Sequence, residues 1–286
     1  MSLLALIESC SARLQEAGVS FGHGTTNAFD EAAWLVLWRL GLPLDDLDGV
    51  AAREVTSAQR MAVEALIEQR IATRKPAAYL TGEAWLQGVP FHVDERVIVP
   101  RSLIAEALGD GTLDAWLTRP PRRVLDLCTG NGSLAVLGAL AWPAARVDAS
   151  DLSADALDVA RLNVARHALG GRISLHHGDG LAALSGRFDL ILCNPPYVNR
   201  VSMHSLPPEY RAEPALALDG GADGMDFVRR LLRQAGRYLH DDGALVLEIG
   251  HERRHFDAAF PKLQPLWLPT SAGDEQVLLL MREQLP

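Results

Sequence analysis

Apolar residues recur every three or four positions through the first eighty residues, then gather into short unbroken runs separated by Gly, Pro and Asp. The first pattern predicts amphipathic helices and the second predicts buried strands. "LLALIESCSARLQEAG" (3–18) has helical spacing and ends at Gly18, a residue suited to a helix C-cap. "DEAAWLVLWRLGLP" (30–43) sets Asp30 and Glu31 in a first turn and stops at Gly41 and Pro43. "TSAQRMAVEALIEQRIATRKP" (56–76) opens with the capping-box pattern Thr56-x-x-Gln59 and breaks at Pro76. Trp34 and Trp38, four apart in the second of these helices, read as core packing.

From Tyr79 the texture changes. "EAWLQGVPFHVDERVIVPRS" (83–102) mixes strand formers with Gly88, Pro90 and Pro100, which predicts a short β-hairpin. Strands then alternate with helices: "RRVLDLC" (122–128), "ARVDASD" (145–151), "RISLHHGD" (172–179), "FDLILCN" (188–194) and "GALVLEIG" (243–250) are the strands. That alternation predicts a parallel, doubly wound α/β sheet. The tail "PLWLPTSAGDEQVLLLMRE" (265–283) predicts an antiparallel pair at the sheet edge. The divisions expected are a helical domain over 1–78, a hairpin linker over 79–101 and an α/β domain over 102–286.

Composition narrows the class. With 48% hydrophobic and 22% charged residues the chain is that of an ordinary soluble globular protein. No apolar run is long enough for a membrane helix, and the first residues lack a basic leader and cleavage site, so no signal peptide is expected. Cys10, Cys128 and Cys193 are scattered without metal-ligand spacing, which fits a reducing cytoplasm and argues against a disulfide framework or a zinc site. A net charge of −9 disfavours a protein that lives on nucleic acid.

The candidate chemistry lies at the carboxyl ends of the strands. Gly130 and Gly132 follow the first strand, at a turn that serves either a ligand or an ordinary tight βα connection. The third glycine of a dinucleotide fingerprint is absent, as is a phosphate-loop lysine, so a pyrophosphate is not favoured. Asp151 ends the second strand, where a carboxylate accepts ribose hydroxyls; the alternative is an acid at a helix start that Ser153 or Asp155 caps. Asp179-Gly180 ends the third strand, as a receiver for an exocyclic amine or as a surface turn. Taken in order, these positions suit a ligand with a ribose and a base but no diphosphate, as in S-adenosylmethionine.

The fourth strand stops at Asn194-Pro195-Pro196-Tyr197. Two prolines end the ladder and leave acceptors where donors would be. "DLCTGNG", "DLS", "NPPY" and their spacing resemble Rossmann-like S-adenosylmethionine-dependent methyltransferases that methylate a planar NH2. The resemblance implies donor contacts from Asp126, Cys128, Thr129, Gly130, Asn131, Gly132, Asp151, Leu152, Asp179, Gly180 and Asn194. It also implies a catalytic set of Asn194, Pro195, Pro196 and Tyr197, and no metal. In such a site the Asn194 side-chain oxygen and the Pro195 carbonyl accept the two N–H bonds of the substrate and aim its nitrogen at the methyl group. Tyr197 lies against the planar group.

The flanks resemble the protein-glutamine methyltransferases over nearly the whole chain. "PRSLIAE" (100–106) lacks the acidic run usual after Pro-Arg in the branch that acts on release factors. "FGHGTTNAFDEAAWLVLWRLGLPLD" (21–45) and "LPPEYRAEP" (206–214) are similar to the branch that acts on ribosomal protein L-three of the large subunit. The expected partner is therefore that protein, with no membrane and no direct nucleic-acid contact, and the expected location is the cytoplasm. Release-factor methylation, nucleic-acid amino-methylation and a non-catalytic binding module are the other readings. His23, between Gly22 and Gly24, reads as a loop histidine and a candidate substrate contact. His176 and His177 point to opposite sides of a strand. His251, Glu252 and His255 fall on an expected helix, without a third ligand for zinc.

Overall fold

The computed structural model describes residues 1–286. Five helices open the chain: α1 (Leu3–Glu16), α2 (Ala28–Leu40), α3 (Leu47–Val50), α4 (Ser57–Thr73) and α5 (Ala77–Thr81). Their ends follow the sequence cues. Asn27 caps α2, Gly41 ends it in the left-handed region, and Thr56 and Gln59 form the capping box of α4. Helix α4 stops at Thr73, three residues before Pro76. Trp38 is 38% exposed, so the expected core role falls to the half-buried Trp34 alone. Leu3, Leu6, Ile7, Leu35, Val36, Val63 and Ile67 form the core of this layer.

Strands β1 (Glu83–Leu86) and β2 (Val89–His92) form the hairpin, and its two-residue turn Gln87-Gly88 has positive φ at both positions. That is the twist a tight hairpin requires. The strands end at His92, so the rest of the expected linker, 93–101, runs on as irregular chain. Then come α6 (Ile104–Gly109), β3 (Arg123–Leu127), α7 (Ser133–Ala141), β4 (Arg146–Asp151), α8 (Ala154–Arg166), β5 (Ile173–His177), β6 (Phe188–Cys193), α9 (Arg200–Ser205), α10 (Asp226–Tyr238), β7 (Leu239–Glu248), α11 (Arg253–Ala259), β8 (Leu266–Thr270) and β9 (Gly273–Met281).

Seven strands make one sheet in the order β5-β4-β3-β6-β7-β9-β8, parallel except for β9, which runs antiparallel to both its neighbours. Every residue of β6 is buried, because both faces are covered. Leu190 and Leu192 face the core that includes α7, while Ile191 and Cys193 face the core that includes α10. The chain winds one way from β3 through β4 to β5 and the other way from β6 to β7, so the winding reverses between β3 and β6. Leu127 pairs with Cys193, which brings the ends of those two strands level at the crevice where such sheets bind ligands.

Two polar ties join the layers. Asn163 of α8, fully buried, exchanges hydrogen bonds with the His92 backbone (2.7 and 2.9 Å) and donates to the Asn131 carbonyl at 2.8 Å. Arg70 of α4, also fully buried, donates to Glu31 at 2.8 Å, to Glu209 at 3.4 Å and to the Ser20 carbonyl at 3.1 Å. Glu209 lies beyond the Asn-Pro-Pro-Tyr stretch, so this ion group fastens the post-motif segment onto the helical layer. Removing one member of such a group leaves uncompensated buried charge. Arg70→Leu is expected to cost about 3–5 kcal/mol in denaturant unfolding; a loss within about 1 kcal/mol, the range of an exposed pair, would remove Arg70 from its structural role.

Candidate active site

The crevice between β3 and β6 opens into a cavity of about 400 Å³. Its floor begins where β3 ends. Cys128 takes a left-handed φ of 61°, unusual for a residue with a side chain, and the chain then turns tightly with Gly132 N–H donating to the Thr129 carbonyl at 2.9 Å. Asp126 holds this turn from beneath: its Oδ2 accepts from the Thr129 hydroxyl (2.5 Å) and the Ala135 N–H (2.9 Å).

Asp151, at the end of β4, fixes the other side. One carboxylate oxygen accepts from the Gly130 N–H and the other from the Ser153 N–H, both at 2.8 Å. Each oxygen retains acceptor capacity for a ligand. Burial pushes this carboxyl upward in pKa, against the pull of the Ser153, Gly130 and Leu152 N–H groups.

Cys128, Thr129, Gly130, Asn131, Asp151, Leu152, Asp179, Gly180, Asn194 and Pro196 line the cavity, as the sequence resemblance implied. Four implied residues do not. Asp126 is fully buried below the turn and acts through it. Gly132, with φ of 81°, lies outside the lining; a Cβ there would lie 3.1 Å from that of Ala160, so its smallness serves the contact between the start of α7 and the middle of α8. Pro195 is buried behind the wall. Tyr197 turns away from the cavity. Its hydroxyl donates to Glu248 Oε1 at 3.2 Å, and its ring lies where a Cβ on Gly250 would come within 2.5 Å. Tyr197, expected to lie against the substrate amide, is thus outside the lining and braces the loop.

Several wall residues had no assignment from sequence. Arg96, Pro100, Arg101 and Ser102 come from the linker after the hairpin; Pro214, Leu216 and Asp219–Gly221 come from the segment after the motif; Phe227 and Arg230 come from α10. The cue for the second group was the glycine pattern Gly220-Gly221-x-x-Gly224. A Cβ on Gly220 would lie 2.7 Å from the Tyr197 Cα, so this segment can sit against the motif only without side chains. Val198 and Asp219 form a bridge there, with Val198 N–H donating to the Leu218 carbonyl and Gly220 N–H to the Val198 carbonyl, each at 2.9 Å.

The electrostatics favour a cationic ligand. All three arginines of the wall are paired: Arg96 with Asp94 (2.7 Å), Arg101 with Glu213 (2.6 Å) and Arg230 with Asp179 (2.8 Å). Asp151 and Asp219 have no ion partner, which leaves the cavity net negative. Burial alone would raise Glu213, but the Arg101 guanidinium and the His23 ring together outweigh it and hold the carboxyl at about 2. Two buried polar atoms of wall residues, Asn131 Nδ2 and Ser150 Oγ, lack any protein partner. The Asn194 side chain also has no protein hydrogen bond, and it is half-buried in the wall. A ligand with a sulfonium cation, a ribose diol and an amino-acid end, such as S-adenosylmethionine, matches these donors, acceptors and charge.

The histidines divide as follows. His176 contacts Asp148 at 2.7 Å and His177 the Leu152 carbonyl at 2.9 Å, so they act apart, as expected for neighbouring strand positions. His251 precedes α11 instead of lying on it, and Glu252 accepts from Asn199 Nδ2 at 2.6 Å while also contacting His255. His23 lies in a loop, as expected, but is buried there: it is 1% exposed, against the Tyr210 ring at 4.4 Å and 3.6 Å from Glu213.

Residues 5–82 match the PrmC N-terminal domain and residues 111–206 the Methyltransferase small domain. The ribosomal protein uL3 glutamine methyltransferase of Bordetella pertussis is 57% identical over 287 residues, covering 99% of this chain and 96% of that protein. The one of Burkholderia pseudomallei is 53% identical over 98% of this chain and 94% of that protein, and the one of Neisseria meningitidis serogroup B 50% over 96% and 91%. Among solved structures, the hMettl16 catalytic domain in complex with the MAT2A 3'UTR hairpin 6 superposes with a TM-score of 0.53, at 12% identity over 78% of this chain and 81% of that one, a likeness of fold.

Asp126 yields a pH prediction. Burial pushes its carboxyl from 3.8 up to about 7, against the Thr129 and Ala135 hydrogen bonds. A group whose folded pKa is raised stabilises fully below its unfolded pKa and loses that contribution as pH rises through the folded value. Wild-type stability relative to Asp126→Asn is therefore expected to fall between pH 3.8 and about 7 and to level off above. Denaturant unfolding across that range checks it, and a flat difference would mean that Asp126 is ionised throughout.

Proposed function

The chain belongs to the ribosomal protein uL3 glutamine methyltransferases, and we propose that it transfers a methyl group from S-adenosylmethionine to the side-chain amide nitrogen of a glutamine in ribosomal protein uL3. The observation that carries this reading is the Asn194 carboxamide, without a protein partner, in the wall of a net-negative cavity.

S-adenosylmethionine supplies an electrophilic methyl group. Asp151 would hold its ribose hydroxyls, Asp179 and Gly180 its base, and the turn from Cys128 to Asn131 its amino-acid end. The protein's remaining task is to present a poor nucleophile, because the lone pair of an amide nitrogen is delocalised into the carbonyl. Asn194 Oδ1 accepts an N–H of the substrate amide and fixes the direction of its nitrogen. An acceptor there also stabilises the positive charge that grows on nitrogen as the bond to carbon forms. A carboxylate in place of the substrate amide would meet oxygen against oxygen, so the same contact selects glutamine over glutamate. Pro195 and Pro196 keep the loop extended, and Tyr197 with Glu248 keeps it from rotating.

The helical layer over residues 1–78 and the segment over 206–214 receive the protein substrate. A protein that assembles on ribosomal RNA carries a basic surface, and the net charge of −9 complements it. The enzyme acts in the cytoplasm, where ribosomes assemble; no helix is long and apolar enough to cross a membrane.

Labelled S-adenosylmethionine incubated separately with purified uL3, release factor and plasmid DNA tests the substrate. Label is expected on uL3 alone; label on DNA would return the site to nucleic-acid amino-methylation. Association with uL3 is expected to slow as salt rises, and a rate independent of ionic strength would exclude electrostatic docking. Asp151→Ala is expected to weaken donor binding by about 1.5–3 kcal/mol per hydrogen bond lost, read by calorimetry; unchanged affinity would take Asp151 out of the donor site.

A further inference from the structure

Arg101 has two uncommitted donors in the cavity wall. Its guanidinium carries five N–H bonds in one plane. Nη1 donates to the Val99 carbonyl at 3.0 Å and to Glu213 Oε1 at 2.6 Å, and Nη2 donates to Glu213 Oε2 at 2.7 Å. The Nε–H and the second Nη2–H have no protein partner. They lie parallel along one edge of the plane, a fork suited to a single oxygen or a pair of oxygens.

The fork is held rigidly. Glu213 is fully buried at its side chain and is itself fixed by the Val99 N–H at 2.9 Å, and the Tyr210 ring lies 5.4 Å below the guanidinium carbon. About a quarter of the Arg101 side chain, 24%, stays accessible, and the residue lines the cavity. Glu213 also cancels its charge, so the fork offers hydrogen bonds without repelling a cationic donor. A neutralised fork matches a neutral oxygen better than a carboxylate. The ionisable groups that act most strongly on Arg101 are Glu213, Tyr197 and Tyr210, which belong to the motif loop and the segment after it, not to the ends of β4 and β5. Pro100 and Pro214 flank the pair and give apolar walls for a methylene stem.

We propose that Arg101 is a substrate-positioning residue whose free N–H fork donates to the side-chain carbonyl oxygen of the target glutamine. This rests on the reading of the site as a glutamine methyltransferase. Asn194 then reads the NH2 end of the amide and Arg101 the oxygen end, so the amide plane is set by two contacts instead of one. The side chain is thereby oriented with no bond made or broken at Arg101.

Arg101→Lys tests it, because lysine keeps the charge opposite Glu213 but loses the planar fork. Binding is measured by calorimetry with S-adenosylhomocysteine present, to uL3 and to uL3 whose target glutamine is replaced by methionine. The variant is expected to bind uL3 roughly ten- to a hundredfold more weakly, the range of one charge-assisted hydrogen bond. It is expected to bind the methionine form as the wild type does, and to keep wild-type affinity for S-adenosylmethionine. Equal weakening toward both forms of uL3 would mark a merely structural role and overturn the inference. Loss of S-adenosylmethionine affinity with the uL3 preference intact would assign the fork to the donor's carboxylate and also overturn it. If Arg101→Lys does not fold, the double variant Arg101→Gln/Glu213→Gln, which removes both buried charges together, is read for the same contrast. Wild-type methylation of the same uL3 is the control: its absence overturns the substrate reading and this inference with it, whereas normal methylation with no contrast in the variant overturns this inference alone.

Discussion

Pro195 and Pro196 end β6 at the place where the sheet changes its winding direction, and much of the surrounding structure compensates for the two backbone donors they remove. The loop beyond Asn194 cannot be held by a strand ladder. It is held by a short parallel bridge between Val198 and Asp219, by the Tyr197 hydroxyl on Glu248 and by Asn199 on Glu252. Gly220, Gly224 and Gly250 leave the room that Tyr197 occupies. The result is an acceptor side chain at a fixed position, in a loop with few ways to move.

Buried charge links this loop to the rest of the molecule. Glu209 and Glu213 lie one helical turn's length apart in sequence and anchor differently. Glu209 meets Arg70 and Arg74 of the helical layer, while Glu213 meets both Arg101 of the linker and His23 of the helical layer. Desolvating such groups costs free energy that hydrophobic side chains would not, so their value lies in fixing one arrangement of segments. The arrangement fixed here sets the wall formed by Pro214 to Gly221 against the helices at the N-terminus. The N-terminal helices and the geometry at Asn194 are therefore mechanically joined.

Much of this was legible in the sequence. The apolar run of β6, the alternation of strands and helices and the antiparallel tail gave the parallel, doubly wound sheet and its antiparallel edge, because period and punctuation are local properties. That the turn after β3, Asp151 and Asn194 line one cavity was readable because ligand sites on such sheets sit at strand ends. The rest depended on contacts distant in sequence. That Tyr197 braces the loop, that Gly132 serves helix packing and that Asp126 lies beneath the turn follow only from what surrounds them. That His23 is a loop residue was readable from its two flanking glycines, but its burial was not, because Tyr210 and Glu213, almost two hundred residues on, cover it. The Arg101–Glu213 pair spans 112 residues, and no local pattern marks either member.

The central claim is that Asn194 grips the amide and thereby makes the nitrogen reactive. Single-turnover methylation of uL3 at saturating S-adenosylmethionine, by Asn194→Ala and Asn194→Asp, tests it most directly. Loss of one oriented hydrogen-bonding partner at a transition state is worth about 2.7–4 kcal/mol, or roughly a hundred- to a thousandfold in turnover. Asn194→Ala is expected to fold, to bind S-adenosylmethionine nearly as the wild type does and to lose turnover by that factor. Asn194→Asp, which keeps an acceptor oxygen, is expected to retain more activity. Turnover by Asn194→Ala close to that of the wild type would contradict the account and leave Asn-Pro-Pro-Tyr as the end of a strand.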